Sequence, residues 1–113
     1  EKAVMAHLSA RVGSISDNRM GGWTSYRAAK AAQNMIVKNG AIETARRDKQ
    51  KIIIGLHPGT VETDLSAPFR GGVAASKLFT PDQSAGYLLD VIDKMTPENS
   101  GHVFAWDGSQ IPA

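Results

Sequence analysis

The run Lys51-Ile-Ile-Ile-Gly-Leu-His57 constrains the fold of this chain more than any other stretch. Three consecutive isoleucines leave no polar side, so a strand built from them needs burial on both of its faces. Strands of this kind belong to parallel sheets that carry helices on both sides. The run stops at Pro58-Gly59, where proline lacks a ladder donor and glycine permits a tight turn. The sequence therefore predicts an α/β fold around a buried central strand.

The segments around this strand alternate between strand and helix patterns. Residues 3–9 are a short apolar run suited to a buried strand, and residues 101–106 form a third strand. Helical periodicity extends from about residue 24 to residue 47, with a weak point at Asn39-Gly40, because glycine inside a helix costs about 1 kcal/mol relative to alanine. The order β-α-β-α-β predicts a parallel three-stranded sheet, the pattern of part of a doubly wound sheet.

The second helix has a marked start. Thr80 is suited to the N-cap, Pro81 to the first helical position, and Gln83 completes a capping box. Apolar residues at helical spacing continue the pattern to about Met95. The sequence thus predicts a helix that begins directly after Thr80.

Composition indicates one small globular domain over residues 1–113, with a net charge of +2 and no cysteine. The densest basic run, residues 46–51, contains an acid and lies at a helix end, so it does not predict a nucleic-acid partner. No apolar run reaches the roughly 20 residues of a membrane span, and the three histidines lack the spacing of metal ligands. The composition agrees with a cytoplasmic protein. The chain starts at Glu1 without a methionine and reads like part of a longer protein.

Tyr26 and Lys30 stand four residues apart at the front of the longest helical pattern. That spacing places the two side chains one turn apart on the same helix face. The ammonium and the helix N-terminus both favour the ionised phenol, so the pair is suited to general acid–base chemistry. In a parallel sheet, the loop after residues 3–9, the start of this helix and the turn at Pro58-Gly59 meet at one edge, where ligands collect.

Three motifs together resemble the C-terminal half of a short-chain dehydrogenase/reductase. They are Leu8-Ser-Ala-Arg-Val-Gly-Ser-Ile15, Tyr26-Arg-Ala-Ala-Lys30 and His57-Pro-Gly-Thr-Val-Glu-Thr63. Their order and spacing are those of the family, and the branch they resemble most contains the C-factor and Sniffer-like carbonyl reductases. The resemblance implies a Rossmann-like fold and hydride transfer between NAD or NADP and a small carbonyl or alcohol substrate. It also implies that residues 65–79 include a substrate lid.

The resemblance implies a role for each matching residue. Tyr26 is the general acid or base and is also one of the cofactor-binding positions, and Lys30 assists it and binds the nicotinamide ribose. The family's substrate-orienting serine position is occupied by Ala10, and Ser14 is the candidate substitute for it. The remaining cofactor-binding positions of the family motif are Pro58, Gly59, Val61 and Thr63.

The Gly-rich phosphate-binding turn of the family does not occur in this sequence. Its backbone N–H groups bind the dinucleotide phosphates at a helix N-terminus, so we expect the N-terminal dinucleotide-binding half to be absent and the isolated fragment to be inactive. The alternative is a non-catalytic interaction or signalling fragment. We also expect a homodimer or larger assembly, formed through the helix at 24–47 and the exposed edge of the strand at 3–9.

Overall fold

Strands and helices alternate along the chain in this computed structural model, which describes residues 2–61 and 78–113. Short 3₁₀ turns lie at Arg11–Gly13 and Pro97–Asn99. The predicted β-α-β-α-β order is confirmed, with short strands added to it. In chain order the elements are β1 (Ala3–Leu8), α1 (Thr24–Ala45), β2 (Lys51–His57), β3 (Thr60–Val61), β4 (Leu78–Phe79), α2 (Pro81–Lys94), β5 (Val103–Ala105) and β6 (Gln110–Ile111).

The main sheet has the strand order β1-β2-β5-β6. β2 is parallel to β1 and to β5, as predicted, whereas β6 pairs antiparallel with β5. β3 and β4 form a separate parallel pair. The sequence pattern did not predict β3, β4 or β6, because two residues are too few to show an alternation of apolar and polar side chains.

The side chains of β2 are buried on both faces of the sheet. Ile52, Ile54 and Leu56 are at most 1% exposed and pack with Phe104 and with the α2 side. On the other face, a Cβ atom at Gly40 of α1 would lie 3.5 Å from Cδ1 of Ile53. The prediction that this strand is covered on both sides is therefore confirmed.

β1 lies at the edge of the sheet, and its side chains are more exposed than its apolar sequence predicts. Met5 is 59% exposed and Leu8 is 60% exposed. The prediction of a buried strand at residues 3–9 was wrong for this chain, because among the described residues β1 has a paired neighbour only on the β2 side. The prediction that β1 forms a sheet edge is confirmed.

Both helices occur where the sequence predicts them. α1 continues through Gly40 without interruption and ends at Ala45, two residues before the predicted end. At the start of α2, the Gln83 N–H donates to Thr80 Oγ1 at 3.2 Å, and the Thr80 N–H donates to Gln83 Oε1 at 3.0 Å. These two bonds form the predicted capping box. Within the residues described, neither helix is long and apolar enough to cross a membrane.

Candidate active site

Three segments meet at the edge of the sheet where its parallel strands end. β1 and β2 run in the same direction, so Leu8 and His57 finish at the same edge. The 3₁₀ turn Arg11–Gly13 follows β1, and the Pro58-Gly59 turn follows β2. The first turns of α1 complete the group, because the Lys30 side chain reaches the Leu8 carbonyl. We call this group of segments the rim.

Tyr26 and Lys30 project from one face of α1, as their spacing predicts. Nζ of Lys30 lies 5.8 Å from the centroid of the Tyr26 ring. The Tyr26 side chain is 48% exposed, so a small molecule can reach it from solvent. The phenol and the ammonium are thus close together at an open surface.

The Lys30 ammonium is held by the end of β1 and by a neighbouring amide. Nζ donates to the Leu8 carbonyl at 3.4 Å and to Oε1 of Gln33 at 3.1 Å. Nε2 of Gln33 donates to the same Leu8 carbonyl at 2.9 Å. An ammonium carries three N–H donors, so Lys30 retains one for a ligand hydroxyl. The sequence analysis missed Gln33, although an amide three residues after Lys30 on a helix is a recognisable signal.

The loop after β1 packs tightly against α1. The main chain of Gly13 lies so close to Lys30 that a Cβ atom at Gly13 would be 2.9 Å from the Lys30 carbonyl carbon. Ser9 is buried, and its hydroxyl donates to Oδ1 of Asn34 at 2.5 Å. These contacts fix the position of Ala10, which lies between them in an extended conformation.

Ser14, the candidate substitute for the missing serine, is 2% exposed. Its hydroxyl oxygen accepts from the Asp17 N–H at 3.1 Å and donates to the main-chain oxygen of Ala113 at 3.4 Å. The bond to Ala113 joins the loop to the segment that follows β6. Its role as a substitute stays a prediction.

An aromatic cluster supports the Pro58-Gly59 turn. Gly59 has a φ of 76°, and a Cβ atom there would lie 2.8 Å from Cε2 of Phe79 and 3.1 Å from Cδ1 of Trp106. The rings of Phe79 and Trp106 meet edge-on, with centroids 4.6 Å apart. Val61 pairs with Phe79 in the β3–β4 ladder. Thr63 and most of the predicted lid at 65–79 lie outside the described residues.

Arg27 holds the segment that leads into α1, and this role was not predicted from the sequence. Gly21, Gly22 and Trp23 all have positive φ angles, of 67°, 74° and 51°. The Arg27 guanidinium donates to the carbonyls of Gly22 at 2.9 Å and Gly21 at 3.2 Å. Left-handed backbone is unfavourable for a bulky residue such as Trp23. The Gly-Gly pair was a signal of the turn, but nothing in the spacing connected Arg27 to it.

His57 connects the two loops of the rim. Its Nδ1 accepts a hydrogen bond from the Arg11 N–H at 3.2 Å. Burial lowers the pKa of His57 from 6.5 to about 4; the nearby Arg11 guanidinium lowers it further, and Asp107 acts in the opposite direction. The imidazole is therefore neutral near neutral pH.

The rim presents the Lys30 ammonium and the Pro58-Gly59 turn to a ligand. Lys30 has one N–H available for a ligand hydroxyl, and Gly59 allows a turn that a side chain would obstruct. Over residues 2–61 and 78–113, no three His, Asp or Glu side chains converge on a point where they could bind a metal ion.

Several known proteins that are similar to this chain are named as oxidoreductases. C-signal of Myxococcus xanthus is 38% identical over 108 residues, which are 96% of this chain and 60% of that protein. A 1-hydroxy-2-glutathionyl-2-methyl-3-butene dehydrogenase of Rhodococcus sp. strain AD45 is 40% identical over 109 residues, which are 96% of this chain and 46% of that protein. The chain spans about half the length of the curated relatives it matches. No family model matches the sequence.

A solved structure supports the same family. The NADPH-bound carbonyl reductase from chicken fatty liver superposes with a TM-score of 0.83 and 30% identity, over 99% of this chain and 43% of that one. The predicted Rossmann-like fold and the resemblance to carbonyl reductases are confirmed by this match. NADPH is bound in that carbonyl reductase, in agreement with the predicted use of NAD or NADP.

Proposed function

Because this chain matches part of a short-chain dehydrogenase/reductase, we propose that it forms the catalytic half of an NAD(P)-dependent carbonyl reductase or alcohol dehydrogenase. The observation that carries this proposal is the Tyr26–Lys30 pair, with Lys30 Nζ 5.8 Å from the Tyr26 ring centroid at an open rim. The substrate is a small molecule with a carbonyl or hydroxyl group, and the protein acts in the cytoplasm.

In the reducing direction, Tyr26 donates its hydroxyl proton to the substrate oxygen. NAD(P)H, when bound, supplies the hydride that goes to the carbonyl carbon. Lys30 binds a ribose hydroxyl with its remaining N–H and stabilises the tyrosinate that is left behind. The products are the alcohol and the oxidised nicotinamide.

The other matching residues support the nicotinamide. Pro58 and Gly59 form a turn backed by Phe79 and Trp106, and Val61 and Thr63 continue from it to bind the carboxamide side. Ala10 offers no hydroxyl to the substrate, so Ser14 is assigned as its substitute. The buried position of Ser14 makes it the weakest member of this set.

A second candidate function is non-catalytic interaction or signalling by these residues alone. The 38% identity to C-signal of Myxococcus xanthus favours it, as does the absence of a Gly-rich phosphate-binding turn from this sequence. In that turn, backbone N–H groups at a helix N-terminus bind the dinucleotide phosphates.

Cofactor titration separates the two functions. Calorimetry with NADPH and NADH on the natural protein that carries these residues is expected to give saturable binding, weakened about tenfold by Lys30→Met through loss of a charged hydrogen bond. Lys49→Met, an exposed change after α1, is the control and leaves binding unchanged. Absence of binding by that protein contradicts the reductase function. The isolated 113 residues are expected not to bind and not to turn over substrate.

We also propose that the chain forms a homodimer or larger assembly. The outer face of the 24–47 helix exposes Met35 at 68% and Ile36 at 64%, beside small alanines. Within residues 2–61 and 78–113, no strand pairs with the outer edge of the 3–9 strand, and its main-chain groups are of the kind that recruit another chain. Sedimentation at micromolar concentration is the test, and a stable, folded monomer would contradict the proposal.

A further inference from the structure

A hydrogen bond joins the two loops of the rim through a side chain that the reaction itself does not use. The Arg11 N–H donates to Nδ1 of His57 at 3.2 Å. Because Nδ1 accepts this bond, the proton of the neutral ring is on Nε2. His57 is thus fixed both in rotamer and in tautomer.

Each end of this hydrogen bond is next to residues of the proposed site. Arg11 follows Ala10 and begins the 3₁₀ turn that ends at Gly13, against the main chain of Lys30. On the other side, His57 is the last residue of β2 and precedes the Pro58-Gly59 turn. Movement of either loop away from the other would stretch the Arg11–His57 bond.

We propose that His57 is a positioning residue, which sets the Ala10–Gly13 segment at a fixed distance from the Pro58-Gly59 turn. The proposal rests on the proposed function, since that function assigns substrate orientation to Ser14, which directly follows the first segment, and nicotinamide support to the second. His57 acts through the Arg11 main chain and not on the substrate itself.

The charges around His57 keep it in the accepting form. The Arg11 guanidinium and the Asp107 carboxylate face the ring with opposite effects, and Arg11 also lies 3.7 Å from Asp17. Burial and Arg11 outweigh Asp107 and lower the pKa to about 4. Once protonated, both ring nitrogens are donors, so the bond to the Arg11 N–H is lost in acid.

Two substitutions at His57 separate the hydrogen bond from the bulk of the side chain. His57→Leu keeps a side chain of similar bulk but removes the acceptor. His57→Asn carries an amide oxygen near the place of Nδ1 and can accept from the Arg11 N–H. Asparagine also carries no titrating group, so its hydrogen bond does not depend on pH.

Two substitutions at Arg11 remove or keep the donor. Arg11→Pro lacks the N–H, and proline is tolerated there because Arg11 opens a helical turn and Ala10 is extended, with φ −156° and ψ 148°. Arg11→Ala removes the guanidinium but keeps the N–H. Agreement between the leucine and proline variants therefore identifies the bond itself.

Amide hydrogen exchange on the 113-residue chain gives a readout that needs no enzyme activity. The Gly13 N–H donates to Ala10 O at 3.0 Å inside the same turn, so its exchange rate reports whether the turn is held. We expect exchange at Gly13 to be about five- to tenfold faster in His57→Leu and Arg11→Pro, the loss of one net hydrogen bond. In His57→Asn and Arg11→Ala it stays within about threefold of wild type. The Ile54 amide, in the middle of β2, monitors global unfolding.

The natural protein that carries these residues gives the second readout, the reduction of 4-nitrobenzaldehyde by NADPH. We expect kcat to fall about tenfold in His57→Leu and Arg11→Pro, with a smaller change in KM, because misplacement of the rim affects the reacting geometry. His57→Asn restores kcat.

Each outcome tests a different statement. An unchanged exchange rate at the Gly13 amide in His57→Leu overturns the proposal. The proposal is also overturned if Gly13 exchanges as fast in His57→Asn as in His57→Leu while the Ile54 amide stays protected. Changed exchange with unchanged kcat overturns the positioning role in catalysis. If wild type reduces no aldehyde and binds no NADPH, the proposed function fails, and exchange at Gly13 alone then decides whether His57 holds the loop.

Discussion

Gly13 lies against the main chain of Lys30, at a separation that leaves no room for any side chain. A Cβ atom at Gly13 would be 2.9 Å from both the carbonyl carbon and the Cβ of Lys30. Through this contact, the loop that carries Ala10 is fixed against the helix turn that carries the ammonium. The glycine therefore sets the geometry of the rim as directly as the two reactive side chains do.

Replacement of Gly13 by alanine is expected to destabilise the fold and to displace the loop from α1. Overpacking of this kind costs about 1–3 kcal/mol, which corresponds to a fall in Tm of at least about 4 °C for a domain of this size. Thermal unfolding followed by circular dichroism measures the change. A Tm equal to that of wild type would show that the loop can move away without cost.

Gly86→Ala is the matched control for that change. Gly86 lies inside α2, and apart from its chain neighbours and the backbone of its own helix, a Cβ atom there would meet no heavy atom of the described residues within 4 Å. Because alanine is a better helix former than glycine, this variant is expected to gain up to about 1 kcal/mol. The two substitutions are therefore expected to shift Tm in opposite directions in the same thermal unfolding assay.

Loss of the Arg27 guanidinium is expected to loosen the left-handed Gly21–Trp23 segment. Its bonds to two carbonyls are exposed, so about 1 kcal/mol is lost, equivalent to about a fivefold larger population of the open loop. Limited trypsin digestion of Arg27→Gln measures this, because cleavage after the exposed Arg19 follows the open population. Arg46→Gln, at the far end of α1, is the control. Equal rates of cleavage after Arg19 in the two variants would show that Arg27 does not hold the Gly21–Trp23 segment closed.

Stability is expected to fall as the pH falls from 6.5 toward 4, because of His57. Its pKa in the folded chain is about 4, below the ordinary value of 6.5, so the unfolded chain binds a proton first and acid favours unfolding. At about 1.4 kcal/mol per pKa unit, the loss at pH 4 reaches up to about 3 kcal/mol.

The measurement is urea unfolding at pH 7.5 and at pH 4.5, in wild type and His57→Asn. The variant lacks the titrating ring, so its stability is expected to depend less on pH over this interval. Identical pH dependence in the two proteins would mean that His57 is not protected from protonation by the fold.

Local signals in the sequence predicted the principal elements. The isoleucine run predicted both ends of β2. The start of α2 was predicted from Thr80, Pro81 and Gln83. Both predictions succeeded because strand burial and helix capping depend on neighbouring residues. The same holds for Tyr26 and Lys30, whose proximity follows from helix geometry. Each of these features is encoded within a few positions.

The contacts that hold the rim together could not be predicted in this way. His57 and Arg11 are 46 residues apart. The Arg27 guanidinium also donates to the carbonyl of Val12 at 3.4 Å, across 15 residues. Spacing along the sequence does not predict such pairs, since only the packing of β1, β2 and α1 brings them together. The exposure of β1 was misjudged for a related reason, because burial depends on which strands lie next to it.

The most direct test of the account is the effect of Tyr26→Phe on carbonyl reduction by the natural protein that carries these residues. The assay follows the loss of NADPH absorbance with 4-nitrobenzaldehyde, and calorimetry measures NADPH binding in parallel. Removal of the proton donor is expected to lower kcat by about 10²–10⁴-fold, while NADPH affinity falls by less than about tenfold, the effect of one lost hydrogen bond. Turnover by Tyr26→Phe at the wild-type rate would contradict the assignment of Tyr26 as the general acid, and with it the central claim.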